Sequence, residues 1–460
     1  MFQGLGLEVP GFAPICMDTN DPETTEAGFN QRVLRQVPEH GDLTALKAFV
    51  QRFCEEKLPK VTKLTFEEWL DSTSYDNGRK SELRQVFERT LGCRPSLTSC
   101  RKVKAFVKTE SYPCYKHSRM INSRVDEFKV FSGPFFKAIE NAVYDLPQFI
   151  KHIPVVDRPK EILKMRKSGV VYYQTDFTAF ESHFKPEIMD AIELVLYRHC
   201  LSNYPEDSEF ICNVLSGRNR ISTRTGLKAS VRARRMSGDM CTSLGNGFSN
   251  LMLALFIAES KGGELDGFVE GDDGLFSSTV PLTAEDYANL GFTIKIDMIN
   301  DPCEGSFCGM IFSESGEIIR DPVKFLANFG WSHSFIGAGE RVRAELMRAK
   351  ALSAAYETPQ CPIVGAMVKL GLKRTRGVCP RFVQDGYHDT SQIPRDERLI
   401  RPFAPSRDTR LLFEKMYGIS VASQLYIEDA ILREKLDLIQ TVVFPHPDMA
   451  DYALKYIEKG

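Results

Sequence analysis

Residues 266 to 279 read DGFVEGDDGLFSST, two short runs of β-forming residues that meet at Gly271-Asp272-Asp273-Gly274. A Gly and Asp turn between such runs predicts a β-hairpin, with Gly271 and Gly274 letting the backbone turn without Cβ crowding. Adjacent carboxylates at a hairpin tip repel each other unless a cation holds them, so the turn asks for a partner from elsewhere in the fold. The run GVVYYQT, residues 169 to 175, supplies one. It reads as a buried strand with Asp176 near its end, and Glu181 follows in YYQTDFTAFESHF.

The surrounding segments carry their own punctuation. KPEIMDAIELVLYRHCL has Pro186 near its start and apolar residues at helical spacing, which predicts one helix after the carboxylates. SLGNGFSNLMLALFIAESKGG predicts a long, largely buried helix stopped by Gly262 and Gly263. In LTAEDYANLGFTIKID, Thr283 and Asp286 stand in capping-box relation, Gly291 ends the short helix, and a strand follows. SFCGMIFSESGEIIRD predicts a second hairpin about ESGE. Residues 170 to 325 therefore form a mixed α+β unit, and beyond about residue 330 the pattern is mainly helical.

With 460 residues, 43% hydrophobic and 26% charged, the composition is that of a soluble globular chain of two or three domains. The longest apolar run, LMLALFIA, is too short to span a membrane, and MFQGLGLEVPGFAP has no secretory character, so an intracellular protein is expected. Twelve cysteines without a Cys-x-x-Cys pair point to reduced core thiols rather than structural zinc. The net charge of −2 hides two basic blocks. Residues 101 to 124 carry seven Lys and Arg against Glu110 alone, and residues 217 to 235 carry seven against no acid. Basic blocks flanking a carboxylate cluster suit a polyanionic ligand. Carboxylates that hold two Mg²⁺ ions against substrate phosphates are the usual arrangement for nucleotidyl transfer, with Mn²⁺ as the alternative ion.

RMSGDMCTSLGNGFSN, residues 235 to 250, sets Ser237, Gly238, Thr242 and Asn246 in the spacing S-G-x3-T-x3-N. With the D-x4-carboxylate pair and the Gly-Asp-Asp turn in this order, the chain resembles the RNA-dependent RNA polymerases of positive-strand RNA viruses, nearest to tombusvirus-like and nodavirus-like enzymes. The resemblance implies a right hand: fingers with the N-terminal segment over 1–169, palm over 170–185, a fingers insertion over 186–228, palm again over 229–325 and a mainly helical thumb over 326–460, the palm built on an antiparallel sheet. It also implies Asp176, Asp272 and Asp273 as metal ligands and catalytic residues. Lys108, Lys116 and Arg119, in a K-x-E and K-x-x-R-x-I pattern, would grip the incoming triphosphate, and Lys295 would either protonate pyrophosphate or be a strand lysine that carries its head out to water. Ser237, Thr242, Asn246 and Glu181 would read the ribose, Glu181 indirectly through Asn246.

Glu181 departs from the pattern, because most relatives carry Asp there and one methylene shifts the carboxylate by roughly 1.5 Å. SYDNGRKSEL, residues 74 to 83, resembles a template-channel motif, which brings Arg79 and Lys80 toward RNA together with Arg232, Arg234 and Gly238. The partners implied are template and product RNA, NTPs, and other viral replication proteins that supply membrane attachment in the host cytoplasm. The rival readings are a catalytically inactive RNA-binding replicase scaffold, which would tolerate loss of metal ligands, and a reverse transcriptase, against which Thr242 and Asn246 argue. A P-loop NTPase is disfavoured because no Gly-Lys-Ser/Thr triplet occurs.

Overall fold

A computed structural model describes residues 2–112, 117–383 and 393–441. Among them the strands, in chain order, are β1 (Gln3–Gly4), β2 (Ile15–Cys16), β3 (Lys102–Val107), β4 (Ser111–Tyr112), β5 (Met120–Arg124), β6 (Val171–Phe177), β7 (Arg218–Thr223), β8 (Lys228–Arg232), β9 (Leu265–Glu270), β10 (Asp273–Ser278), β11 (Ile294–Ile299), β12 (Ile311–Phe312), β13 (Ile318–Ile319) and β14 (Trp331–Ser332). The mixed α+β centre and the helical C-terminal region are both present.

At the centre lies an antiparallel sheet in the order β11-β6-β10-β9. One of its faces carries Tyr173, Phe177, Val269 and Phe276 into a core shared with Leu244, Phe248 and Leu251 of the helix Thr242–Ser260. That helix is apolar nearly all round because the sheet covers one side and the helix Thr44–Lys57 another. On the opposite face Leu275 and Phe268 lie under Phe307, Met310 and Phe312, so the expected hairpin about ESGE, observed as β12 and β13, caps the far end of the sheet. The carboxylate end of this face is left open.

A second sheet, β5-β3-β7-β8, joins the two basic blocks, with β3 and β7 parallel. Its inner face, Val103, Ala105, Val107, Met120 and Ile221, packs on Phe29 and Val33 at the end of the N-terminal helix Pro22–Arg32.

One expectation needs correction. The helix predicted after Pro186 is two helices, Pro186–Ala191 and Glu193–Cys200, broken at Ile192 with φ −121° and ψ −84°. The break lets Glu193 turn fully inward, where it pairs with Arg235 at 2.7 Å, a demand that helical spacing does not register. The first residues reach across the molecule. Leu5, Leu7, Val9 and Phe12 are buried in the C-terminal core with Leu326, Phe329 and Met367, and β1 pairs with β14. Residues 2–12 thus pack with the C-terminal unit, whereas the following helix packs on the second sheet, so the N-terminal segment ties the two together.

After β6, Ala179 at φ +51° opens a 3-10 turn, Phe180–His183, that is clamped by Phe177, Phe184 and Phe292. His183 is buried there. Its Nε2 accepts from the Thr293 amide at 3.0 Å, so Nδ1 carries the proton toward Phe180 O, and burial lowers its pKa to about 4. The unfolded chain therefore binds a proton that the fold refuses between about pH 6.5 and 4. Stability is expected to fall as pH drops through that window. Urea midpoints measured across it should fall less steeply for His183→Gln.

Candidate active site

The hairpin turn consists of Gly271 and Asp272 between β9 and β10, with Gly271 at φ +63° as expected for a two-residue connection. Gly274 has a different role from the one its spacing suggested. It lies within β10 opposite Thr175, where a Cβ would come within 2.5 Å of Thr175 Oγ1 and of the Phe276 ring. Its missing side chain serves close packing rather than the turn.

The turn is held from below by a residue that sequence reasoning missed. Asn250 Nδ2 donates to the carbonyls of Asp272 at 3.2 Å and Asp273 at 3.1 Å. Its position one helical turn after Asn246 was the signal available. Replacing Asn250 with Leu leaves these carbonyls without their donor, and a loss of about 1–2 kcal/mol of stability is expected in urea unfolding.

Register brings Asp176 and Asp273 to one face. Gly274 pairs with Thr175, so Asp273 stands across from Asp176 one step beyond the ladder, while Asp176 pairs with Lys295 and Asp273 with Glu270. Burial and then the neighbouring Asp272, Asp176 and Glu270 push the Asp273 carboxyl up to about 7. Asp272 is raised as well, by desolvation and by Glu181, against the opposing charges of Arg119 and Arg32. Among the described residues no three His, Cys, Asp or Glu side chains close on one point. The donor chemistry nevertheless fits a hard divalent cation: oxygen ligands only, crowded together with their charges opposed by each other.

The cationic side of the site is built from the second sheet and the N-terminal helix. Arg119 Nε donates to Glu110 Oε2 at 2.8 Å and Lys108 Nζ lies 2.6 Å from Glu110 Oε1, so the K-x-E and R elements meet on one carboxylate. Lys116 lies outside the described residues. Ser237 Oγ donates to Met120 O at 2.8 Å, Thr242 Oγ1 donates to Asp239 O at 2.8 Å, and the Gly238 amide donates to Asn122 O at 3.0 Å. The loop 236–241 is thereby seated on the edge strand β5. A Cβ at Gly238 would meet Asn122 O at 2.7 Å, which explains the glycine. Asp239 locks the loop through a buried ion pair with Arg124 at 2.9 Å.

Glu181 is expected to act on the ribose through Asn246. Glu181 Oε1 pairs with Arg32 Nη1 at 3.2 Å, and Asn246 Oδ1 is buried with no hydrogen-bond partner among the described residues. The longer Glu side chain reaches outward to the N-terminal helix, where an Asp would fall short.

Lys295 is 69% exposed and its Nζ pairs with Asp297 at 2.6 Å, on the face shared with Asp176. Of the residues expected near RNA, Arg79 is held by Asp126 at 2.5 Å and Glu82 at 2.7 Å, with Lys80 partly buried beside it. Arg232 is exposed at the end of β8, and Arg234 has φ +70° with its Nε buried and without a partner among the described residues.

The outer face of the second sheet holds residues not foreseen. Lys102, Lys104, Phe106, Arg220 and Lys228 line a cleft of about 990 Å³. Strict alternation in KVKAFV was the signal for this face.

A family model described as viral RNA dependent RNA polymerase matches residues 24–291. The matched span contains Asp176, Glu181, Asp272 and Asp273 and ends before Lys295. Over 205 residues the chain is 26% identical to the RNA-directed RNA polymerase of Striped jack nervous necrosis virus, covering 42% of this chain and 21% of that relative. Over 278 residues it is 25% identical to the RNA-directed RNA polymerase of Groundnut rosette virus (strain MC1), covering 56% of this chain and 31% of that relative. The likeness thus spans between a fifth and a third of these relatives' own lengths.

Proposed function

Because the chain belongs to the family of viral RNA-dependent RNA polymerases, we propose that it extends an RNA strand by template-directed nucleotidyl transfer from NTPs, in the replication of a positive-strand viral genome. The observation that carries the reading is the register that sets Asp176 beside Asp273 on one sheet face, with Asp272 next to them in the turn and within the electrostatic reach of Arg119. In this reading the sheet β11-β6-β10-β9 is the palm of a right hand, β5-β3-β7-β8 belongs to the fingers, and residues from 326 onward form the thumb.

Asp176, Asp272 and Asp273 would hold two Mg²⁺ ions, which when bound supply charge neutralisation at the phosphates and a more acidic 3′-hydroxyl. The protein's own work is positioning. Arg119, with its planar fork, and Lys108 turn from Glu110 to the triphosphate, so binding exchanges one set of charge-assisted hydrogen bonds for another. Asn246 Oδ1, buried without a donor among the described residues, is suited to the ribose 2′-hydroxyl, and Ser237, Thr242 and Glu181 are read as the rest of the ribose-sensing set. The 3′-hydroxyl loses its proton to water and attacks the α-phosphate in line, the bond from the α-phosphorus to the pyrophosphate oxygen breaks, and Lys295, sharing the face of Asp176, gives a proton to that leaving oxygen and regains one from solvent.

The basic cleft is read as a path for single-stranded template. Lys102 stands opposite Arg220 and Arg218 opposite Arg232, like charges that destabilise a sheet unless a polyanion lies over them. Phe106, half exposed on that face, offers a base a stacking surface. No helix among the described residues is long and apolar enough to cross a membrane. We propose that host cytoplasmic membranes are reached together with other viral replication proteins.

The test is incorporation of labelled NTPs on an RNA template with Mg²⁺ or Mn²⁺, against Asp272→Ala. Absence of incorporation by the unaltered protein, with RNA binding that survives the mutation, would instead support a scaffold.

A further inference from the structure

Glu181 has a fixed backbone and a side chain that needs a support. Its carbonyl accepts from the Arg235 amide at 3.2 Å, and the aromatic clamp on either side of Phe180 immobilises the turn. The extra methylene nevertheless gives the carboxylate rotamer freedom that a sensor of one hydroxyl cannot use. Arg32 removes that freedom. It is the last residue of the helix Pro22–Arg32, and the helix is pressed closely against the second sheet. Ser118 Oγ donates to Thr24 O at 2.8 Å, and a Cβ at Gly28 would fall 2.2 Å from Ser118 Oγ. Phe29 and Val33 anchor the same helix in the core under β3. The guanidinium is thus delivered by a rigid element to Glu181 Oε1 at 3.2 Å, with both side chains about three-quarters or more buried.

We infer that Arg32 is a positioning residue for ribose selection, holding Glu181 in the orientation from which it acts on the sugar. The inference rests on the reading of Glu181 as part of the ribose-sensing set. A last-turn arginine also complements the helix dipole, and that purely structural role would leave sugar choice untouched.

The two roles separate in the ratio of kcat/KM for an NTP to that for the matching dNTP, measured with the full chain on a primed RNA template. Arg32→Ala and Arg32→Gln, the latter keeping most of the stem, are each expected to lower the ratio about tenfold, mainly through a higher KM for the NTP. Combined with Glu181→Ala, neither should lower it further than Glu181→Ala alone. In a Glu181→Asp background, where the shortened carboxylate no longer reaches the guanidinium, Arg32→Ala should change the ratio less than twofold. A wild-type ratio in both Arg32 variants, with the ratio lost in Glu181→Ala, overturns the inference and leaves the ribose reading standing. An unchanged ratio in Glu181→Ala overturns both.

Discussion

Asp272→Asn is expected to cut nucleotide incorporation by about a thousandfold or more while raising the thermal midpoint of the cation-free protein. The two effects have one origin. Asp272 and Asp273 are adjacent at the mouth of a sheet face that also presents Asp176 and Glu270, and the fold keeps them there at an electrostatic cost. Asparagine has nearly the same shape, and the turn survives because Asn250 binds the backbone carbonyls and not the carboxylates. Incorporation is lost because an amide is a poor ligand for a hard cation.

The stability gain has a definite sign with pH. The Asp273 carboxyl titrates near 7 in the fold against about 4 in an unfolded chain, so the folded state keeps a proton that the unfolded state has released. Its contribution is fully present below about pH 4 and is lost as pH rises through 7. Relief by Asp272→Asn should therefore be largest near pH 8 and small near pH 5, roughly 1 kcal/mol or about 2 °C. Melting curves in chelator at the two pH values test this. A lower midpoint for the variant at pH 8 would show that Asp272 supports the fold rather than straining it.

What was readable in the chain was local. The Gly-Asp-Asp hairpin, the strand before Asp176, the Thr283–Asp286 capping box and the helix ending at Gly262 each depend on residues within a few positions of one another, and the structure has all of them. Contacts over long separations left little trace. Residues 2–12 enter the C-terminal core through a two-residue strand, too short to show a period. The break at Ile192 has neither Gly nor Pro to mark it, because it answers to the distant Arg235. Within the site, residue types and spacing brought out the carboxylates, but not what each polar group touches. Glu181 faces Arg32, which no motif contains, and Asn250 was hidden behind Asn246 on the same helix.

Breaking the buried pair Arg124–Asp239 should cost far more stability than breaking any exposed pair. Both side chains are almost fully buried, and Arg124 also donates to Asn219 Oδ1 at 2.7 Å and Cys100 O at 3.0 Å. Asp239→Ala leaves that guanidinium without its counter-charge, and a loss of about 3–5 kcal/mol is expected in urea unfolding. Exposed pairs such as Lys167–Asp266 should cost less than 1 kcal/mol by the same measurement. The pair also fixes where Ser237 and Thr242 stand, since it pins the loop between them to the end of β5. Replacing both members with apolar residues, Arg124→Met with Asp239→Leu, removes the orphaned charge and should recover most of the stability. Incorporation should not recover with it, because packing alone does not direct the loop onto Met120 O and Asn122 O. Return of full incorporation in the double variant would mean that the ion pair only holds the loop down, and that β5 and the helix Thr242–Ser260 suffice to aim it.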